Sequence, residues 1–268
     1  MRSLMKVGFS LLLLAAVLVA LSYSMLKASG TVSAAEGRAV AQDTRPVPAG
    51  VEIVELDGPI DLNLRYGATP MLRVSGEQRM LGNVEVTGDG KVLRIGIRGM
   101  VLRHREPLVV DLVLPVLTSV TIEGSGDSTI NGFSGDAIAV QLNGSGSVRF
   151  NGRYRDATVG LTGSGDLDVN GGAAMDRMET RLMGSGSITV SGTARALEAD
   201  TTGSGRLDAE HLRASEVTLS QTGSGDSAVQ ARDTIRITLS GSGDVEVYGN
   251  PAERSTSRTG SGSVTYEE

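Results

Sequence analysis

The residues best placed to do chemistry recur at a fixed phase of a repeat. Gly-Ser-Gly is followed by aspartate at Asp127, Asp166, Asp226 and Asp244. Oxygen donors returning once per repeat suggest a calcium-binding β-roll. A calcium ion, however, needs about six to eight converging oxygens. Ser147, Ser187, Arg206 and Ser263 occupy the same place in the other copies, which interrupts any stacked column of ligands. The aspartates therefore read as solvated turn residues. A second grouping, Asp166, Asp168, Asp208 and Glu210, could pair carboxylates on one outer face, as glycoside-cleaving enzymes require. Outward strand positions are charged as a matter of course, so a polysaccharide lyase or hydrolase stands as the alternative reading only.

Other chemistries find little support. There is no cysteine, which excludes disulfides, thiolate metal sites and cysteine nucleophiles. The two histidines, His104 and His211, lie on unrelated segments. No serine sits in a Gly-x-Ser-x-Gly elbow, and the glycine-rich triplets lack the Lys-Ser/Thr and following helix of a phosphate loop. A net charge of −6, with 3% aromatics and no tryptophan, leaves neither an electrostatic footprint nor a stacking platform for nucleic acid. No catalytic residue, cofactor-binding residue or metal ligand is assigned, and no cofactor is expected.

The N-terminus reads as an export signal. Arg2 and Lys6 precede an apolar run over residues 7–26, and Val32-Ser33-Ala34 offers a cleavage site before Ala35. The run is also long enough to cross a bilayer uncleaved. Residues 1–34 are thus a signal peptide or an N-terminal membrane anchor, and either leaves the body exported to the periplasm or cell surface. Residues 35–45, small and polar, read as a linker.

What positions these side chains is the repeat itself. Gly-Ser-Gly begins at residues 124, 144, 163, 184, 203, 223, 241 and 260, at spacings of 18 to 21 residues. Apolar residues alternate on both sides, as in Val140, Leu142, Val148 and Phe150, which is the period of half-buried strands. Each unit is strand, Gly-Ser-Gly corner, strand and a second turn such as Asn131-Gly132 or Asn151-Gly152, where glycine and asparagine permit a left-handed backbone. An antiparallel meander would let its turns vary independently. One corner recurring at one phase favours a parallel β-helix-like solenoid of about eight coils of 19–20 residues, roughly 40 Å of stacking at the inter-strand spacing. The corner serines could form a hydrogen-bonded ladder.

Residues 46–118 lack the triplet and read as an irregular β cap on the repeats of 119–268, covering an otherwise unpaired sheet edge. At the far end the inward positions become polar, at Thr256 and Arg258. Thr201, Gln221 and Ser227 also fall at inward positions. They must bond one another or distort the coil into a groove, and internal bonding is the expectation.

Three features together resemble the head GIN domain family of auto-transporter adhesins: the opening Val51-Glu-Ile-Val-Glu-Leu-Asp-Gly-Pro-Ile-Asp-Leu-Asn-Leu, the junction Leu114-Pro115-Val-Leu-Thr-Ser-Val-Thr-Ile-Glu-Gly-Ser-Gly-Asp, and the repeated triplets. The resemblance covers residues 46–268 and implies an all-β, β-helix-like domain. The membrane barrel of a true autotransporter is not read after the repeats. The expectation is a non-enzymatic cell-envelope protein, either an adhesin-like binder of a surface protein or glycan or a structural scaffold. Contact with a membrane would come only through residues 7–26.

Overall fold

A computed structural model describes residues 39–99 and 107–267. The export segment and His104 lie outside the described residues, among which no helix is long and apolar enough to cross a membrane. Residues 41–268 form one compact unit.

The elements are, in order, β1 (Val40–Arg45), β2 (Ile53–Asp57), β3 (Ile60–Tyr66), β4 (Met71–Glu77), α1 (Gln78–Leu81), β5 (Val84–Asp89), β6 (Val92–Ile97), β7 (Leu108–Leu114) and β8 (Ser119–Gly124). Then come β9 (Asp127–Gly144), β10 (Ser147–Gly163), β11 (Asp166–Asn170), β12 (Met175–Gly184), β13 (Ser187–Gly203) and β14 (Arg206–Gly223). The last are β15 (Asp226–Gly241), β16 (Val245–Tyr248), β17 (Glu253–Gly260) and β18 (Val264–Glu267).

The repeats form a parallel solenoid. Strands entering the corners stack as a leading face, and those leaving them stack as a trailing face. β8, β9, β10, β12, β13, β14, β15 and β17 pair in parallel succession on the leading side. On the trailing side the succession is β9, β10, β11, β13, β14, β15, β16 and β18. Alternation decides which side chains fill the space between: Val140, Leu142, Val159, Leu161, Val148, Phe150, Leu167 and Val169 are buried. Each such burial contributes about 1.5–3 kcal/mol.

The corner is held by glycine at both ends of the triplet. Each first glycine is the register partner of the next, from Gly124 and Gly144 through to Gly241 and Gly260. These residues have φ between 120° and 150°, where a side chain is strained. The last glycines lack positive φ but are equally constrained. A Cβ there would strike a backbone carbonyl of the coil below, and the roomiest case, Gly205 over the Gly186 oxygen, leaves 2.5 Å. That carbonyl comes so close because it is bonded: Gly186 O accepts from Arg206 N at 3.0 Å, while Gly184 O, at the first glycine, accepts from Ser204 N at 2.9 Å and from Gly205 N at 3.0 Å.

The segment expected as a cap is partly coil. β2 lies between β6 and β8, and β3 lies between β7 and β9, all in parallel. The first coil in sequence is therefore not the first in the stack. Gly58 (φ 114°) supplies its corner, directly under Gly124. Closure comes from β5 and β4, which run antiparallel to β6 and β7, and from α1, whose Met80 and Leu81 are buried. Within the segment read as a linker, residues 40–45 form β1, which pairs with β4. In the last described coil, Thr256 Oγ1 lies 3.1 Å from the Tyr266 hydroxyl, the Arg254 guanidinium sits over the Tyr266 ring, and Arg258 donates to Gly262 O.

Three local expectations are corrected. Among the described residues the serine ladder exists only between Ser261 and Ser242, at 3.2 Å. The repeating bonds lie one residue beyond the triplet's last glycine, where Ser147 Oγ donates to Asp127, and Ser263 N and Oγ both donate to Asp244. An extended strand directs this position at its counterpart one coil away, whereas the corner serine points to solvent. Second, among the described residues none other than glycine has positive φ. The second-turn asparagines instead bond each other, Asn151 Nδ2 donating to Asn131 Oδ1 at 2.9 Å. Third, the inward polar groups do not satisfy one another. The Thr201, Ser227, Ser128 and Thr180 hydroxyls and Gln221 Oε1 are buried without a partner, while Gln221 Nε2 donates to Gly225 O. Ser128, Thr180 and Ser227 have only leucine, valine and alanine as register neighbours. Thr201 and Gln221 are register partners of each other, but the glutamine amide turns to its own corner at Gly225 O.

Candidate functional site

The edge opposite the glycine corner is built differently. Its turns vary in length, and the register slips at Asn151/Gly152, Thr189/Gly192 and Ala209/Arg213. In β14 the slip is largest. Ala209 pairs with Val229 and Arg213 with Gln230, so Glu210, His211 and Leu212 have no partners in the next coil. An excess of residues on one strand bulges outward. Leu212 turns into the core while His211 is exposed, and Glu210 N donates to Asp208 Oδ1 at 3.2 Å.

Beneath this bulge the two preceding coils carry small residues. Gly172, Ala173, Gly192 and Thr193 form a floor, with Arg153 at one end and His211 and Arg213 rising at the other. The result is an open cleft of about 620 Å³, within the ordinary range of ligand sites. Two further depressions, of about 450 and 490 Å³, share Arg213 and Gln230 in one direction and Arg153 and Asn170 in the other. Together they make a trough running across successive coils. Tyr66 and Phe133 meet edge to face, 6.2 Å between centroids, near its lower end.

One wall is a register column: Thr193, Arg213, Gln230 and Tyr248 are successive coil partners. Tyr248 donates its hydroxyl to Glu246 Oε2 at 3.2 Å. Partial burial raises its pKa above the ordinary tyrosine value, and the carboxylates of Glu210, Glu246 and Glu267 add to the rise. The hydroxyl stays protonated at neutral pH and offers a donor. Arg153 and Arg213 differ from three arginines of the leading face: Arg155 meets Asp176 at 2.9 Å, Arg181 meets Glu179 at 2.7 Å and Arg177 meets Glu198. Among the described residues neither Arg153 nor Arg213 has an ion-pair partner.

The carboxylates singled out by sequence do not converge. Asp166 and Asp168 pair in register with Ser187 and Thr189, and only the next coil brings Asp208, opposite Thr189. A full coil therefore separates the two pairs, about 10 Å at the inter-strand spacing. Of the four, only Glu210 lines the cleft. No group of three or more potential metal ligands occurs among the described residues. His211, placed by sequence in a turn, is at the cleft rim. Arg153, Arg213, Gln230 and Tyr248 were not singled out by sequence. Their signal lay in the second-turn segments, where the glycine- and alanine-rich stretch 171–174 and Ser191-Gly192-Thr193 separate bulkier turns.

The chain belongs to the family described as "Putative auto-transporter adhesin, head GIN domain", which matches residues 52–251. Among solved structures, a "putative adhesin" from Parabacteroides distasonis superimposes with a TM-score of 0.79 at 23% identity, covering 85% of this chain and 97% of that one. A "putative lipid binding protein" from the same organism gives a TM-score of 0.77 at 21% identity, with 85% and 97% covered. A "putative adhesin" from Bacteroides fragilis gives 0.67 at 20%, covering 86% and 98%. At these identities the likeness is one of fold, and one fold carries several functional descriptions. Nothing matches among curated proteins.

Proposed function

We propose that this chain is an exported, non-catalytic cell-envelope protein that binds a surface partner through the trough opposite its glycine corner. The observation that carries the reading is the contrast between edges: one repeated unchanged through the eight Gly-Ser-Gly corners, the other opened by bulges and small residues into a lined cleft. Family membership supports an adhesin-type role. The basic, apolar and small-residue succession of residues 1–34 supports export to the periplasm or cell surface, by a cleaved signal or an anchor at residues 7–26. The separation of Asp166 and Asp168 from Asp208 and Glu210 argues for binding without turnover.

The test compares a deletion strain, the wild type and a complemented strain for attachment to a surface and for envelope integrity. Loss of attachment with an intact envelope is the expected result. Unchanged attachment, with no partner retained by the purified chain, would overturn the reading.

A further inference from the structure

We infer that the cleft between Arg153 and Arg213 is a binding site for an acidic polysaccharide, whose chain lies along the stacking direction of the coils. This rests on the adhesin-type reading and supplies its ligand class.

Charge gives the first argument. The protein carries a net charge of −6, and Arg155, Arg177 and Arg181 on the leading face are matched with carboxylates. Arg153 and Arg213 have no ion-pair partner among the described residues, and what sets them apart from other such arginines is that both line one cavity. A planar guanidinium without a partner is suited to a carboxylate or sulfate, which it grips through two parallel hydrogen bonds. The two arginines lie on coils three steps apart, about 14 Å at the inter-strand spacing. One small anion cannot reach both, but a polymer with repeated acidic groups can.

The second argument is the kind of partner the walls accept. Main-chain groups at the floor are already used, with Thr193 N donating to Gly172 O at 2.9 Å and Gly171 N to Ser191 O at 3.1 Å. An extended peptide adding itself as a strand needs free backbone groups and finds those taken. What remains are side-chain donors and acceptors, Asn170, Gln230, Glu210 and the Tyr248 hydroxyl, with the half-buried Tyr248 ring beside them. Amides and a carboxylate answer sugar hydroxyls, and an amphipathic ring answers the apolar face of a sugar. Contacts that return once per coil suit a polymer whose units are about one coil rise long.

The experiment measures binding of the full-length chain to polygalacturonate by calorimetry, with neutral dextran and poly-glutamate as comparison probes. Arg153→Ala combined with Arg213→Ala should weaken polygalacturonate binding about tenfold or more. Arg149→Ala removes a charge outside the cleft and should leave the affinity within about twofold. All three arginines are exposed, so thermal midpoints should stay unchanged and report intact folding. Dextran should bind at least tenfold more weakly than polygalacturonate, by the same charge argument. Equal affinity in the double variant and in Arg149→Ala would overturn the site. Poly-glutamate bound as tightly as polygalacturonate, or no binding of polygalacturonate, would overturn the ligand class. If attachment in the deletion experiment is lost while the double variant restores it fully, this inference fails and the adhesin-type reading stands.

Discussion

The two edges of each coil obey different rules. At the Gly-Ser-Gly edge the backbones approach until a Cβ has no room, and each of the eight triplet corners meets that constraint with the same two glycines. At the opposite edge, turn length and side-chain size vary from coil to coil, and the register slips repeatedly. A solenoid adds stability by nearest-neighbour stacking, so one edge can be held invariant while the other diverges. The corner edge sets the phase of the fold, and the variable edge is where a cleft can form without disturbing it.

The sharpest way to break this contrast is to put one substitution on each edge. Gly205→Ala sets a Cβ 2.5 Å from the Gly186 carbonyl and should destabilise by about 3 kcal/mol or more, since backbone must move. Gly172→Ala, on the cleft floor, has φ of 78° and meets the flexible Arg153 side chain at 3.3 Å and the Gly152 carbonyl at an ordinary contact distance of 3.6 Å. Its cost should be about 1 kcal/mol, from the backbone alone. Denaturant unfolding of the two variants checks the ratio, and equal losses would remove the distinction between edges.

Next in size are the orphaned hydroxyls between the faces. Thr201→Val keeps the shape and removes a buried group without a partner, so it should stabilise by about 1 kcal/mol or more. A loss of stability would mean that the hydroxyl has a partner in solution.

The smallest effect concerns charge at the corner edge. Asp244 accepts bonds from Ser263 Oγ and N, which hold its pKa below the ordinary aspartate value. A carboxylate depressed in the folded state adds stability above its unfolded pKa, and that contribution is lost as pH falls through the folded value. Ser263→Ala should therefore move the Asp244 midpoint upward in an NMR titration. An unchanged midpoint would show that the ladder bond is not formed.

How far the sequence reached depended on which edge was read. The corner was legible because its requirement is absolute: glycine at two fixed positions, eight times over. The inward alternation followed from strand periodicity and placed residues such as Val140, Leu142 and Phe150 in the core, where they are buried. The coil at Gly58 was hidden because its corner reads Gly-Pro-Ile, and because non-sequential stacking leaves no local signal. Partners of Ser227 were misjudged because register sets it between Leu207 and Val245. Those of Thr201 and Gln221 were misjudged because two residues in one column need not bond when the amide turns to its own corner at Gly225 O. The cleft escaped notice because it arises from differences between coils, and a search for repetition averages those away. His211 was noticed only as a departure from glycine, yet the bulge behind that departure creates the rim.

The division of labour between edges is tested most directly by hydrogen exchange of the full-length chain with and without polygalacturonate. Slowed exchange should be confined to the cleft, at residues 170–173, 192–194 and 210–213, with the corners at 184–186 and 203–205 unchanged. Protection centred on the Gly-Ser-Gly corners, or no change at the cleft, would contradict the account.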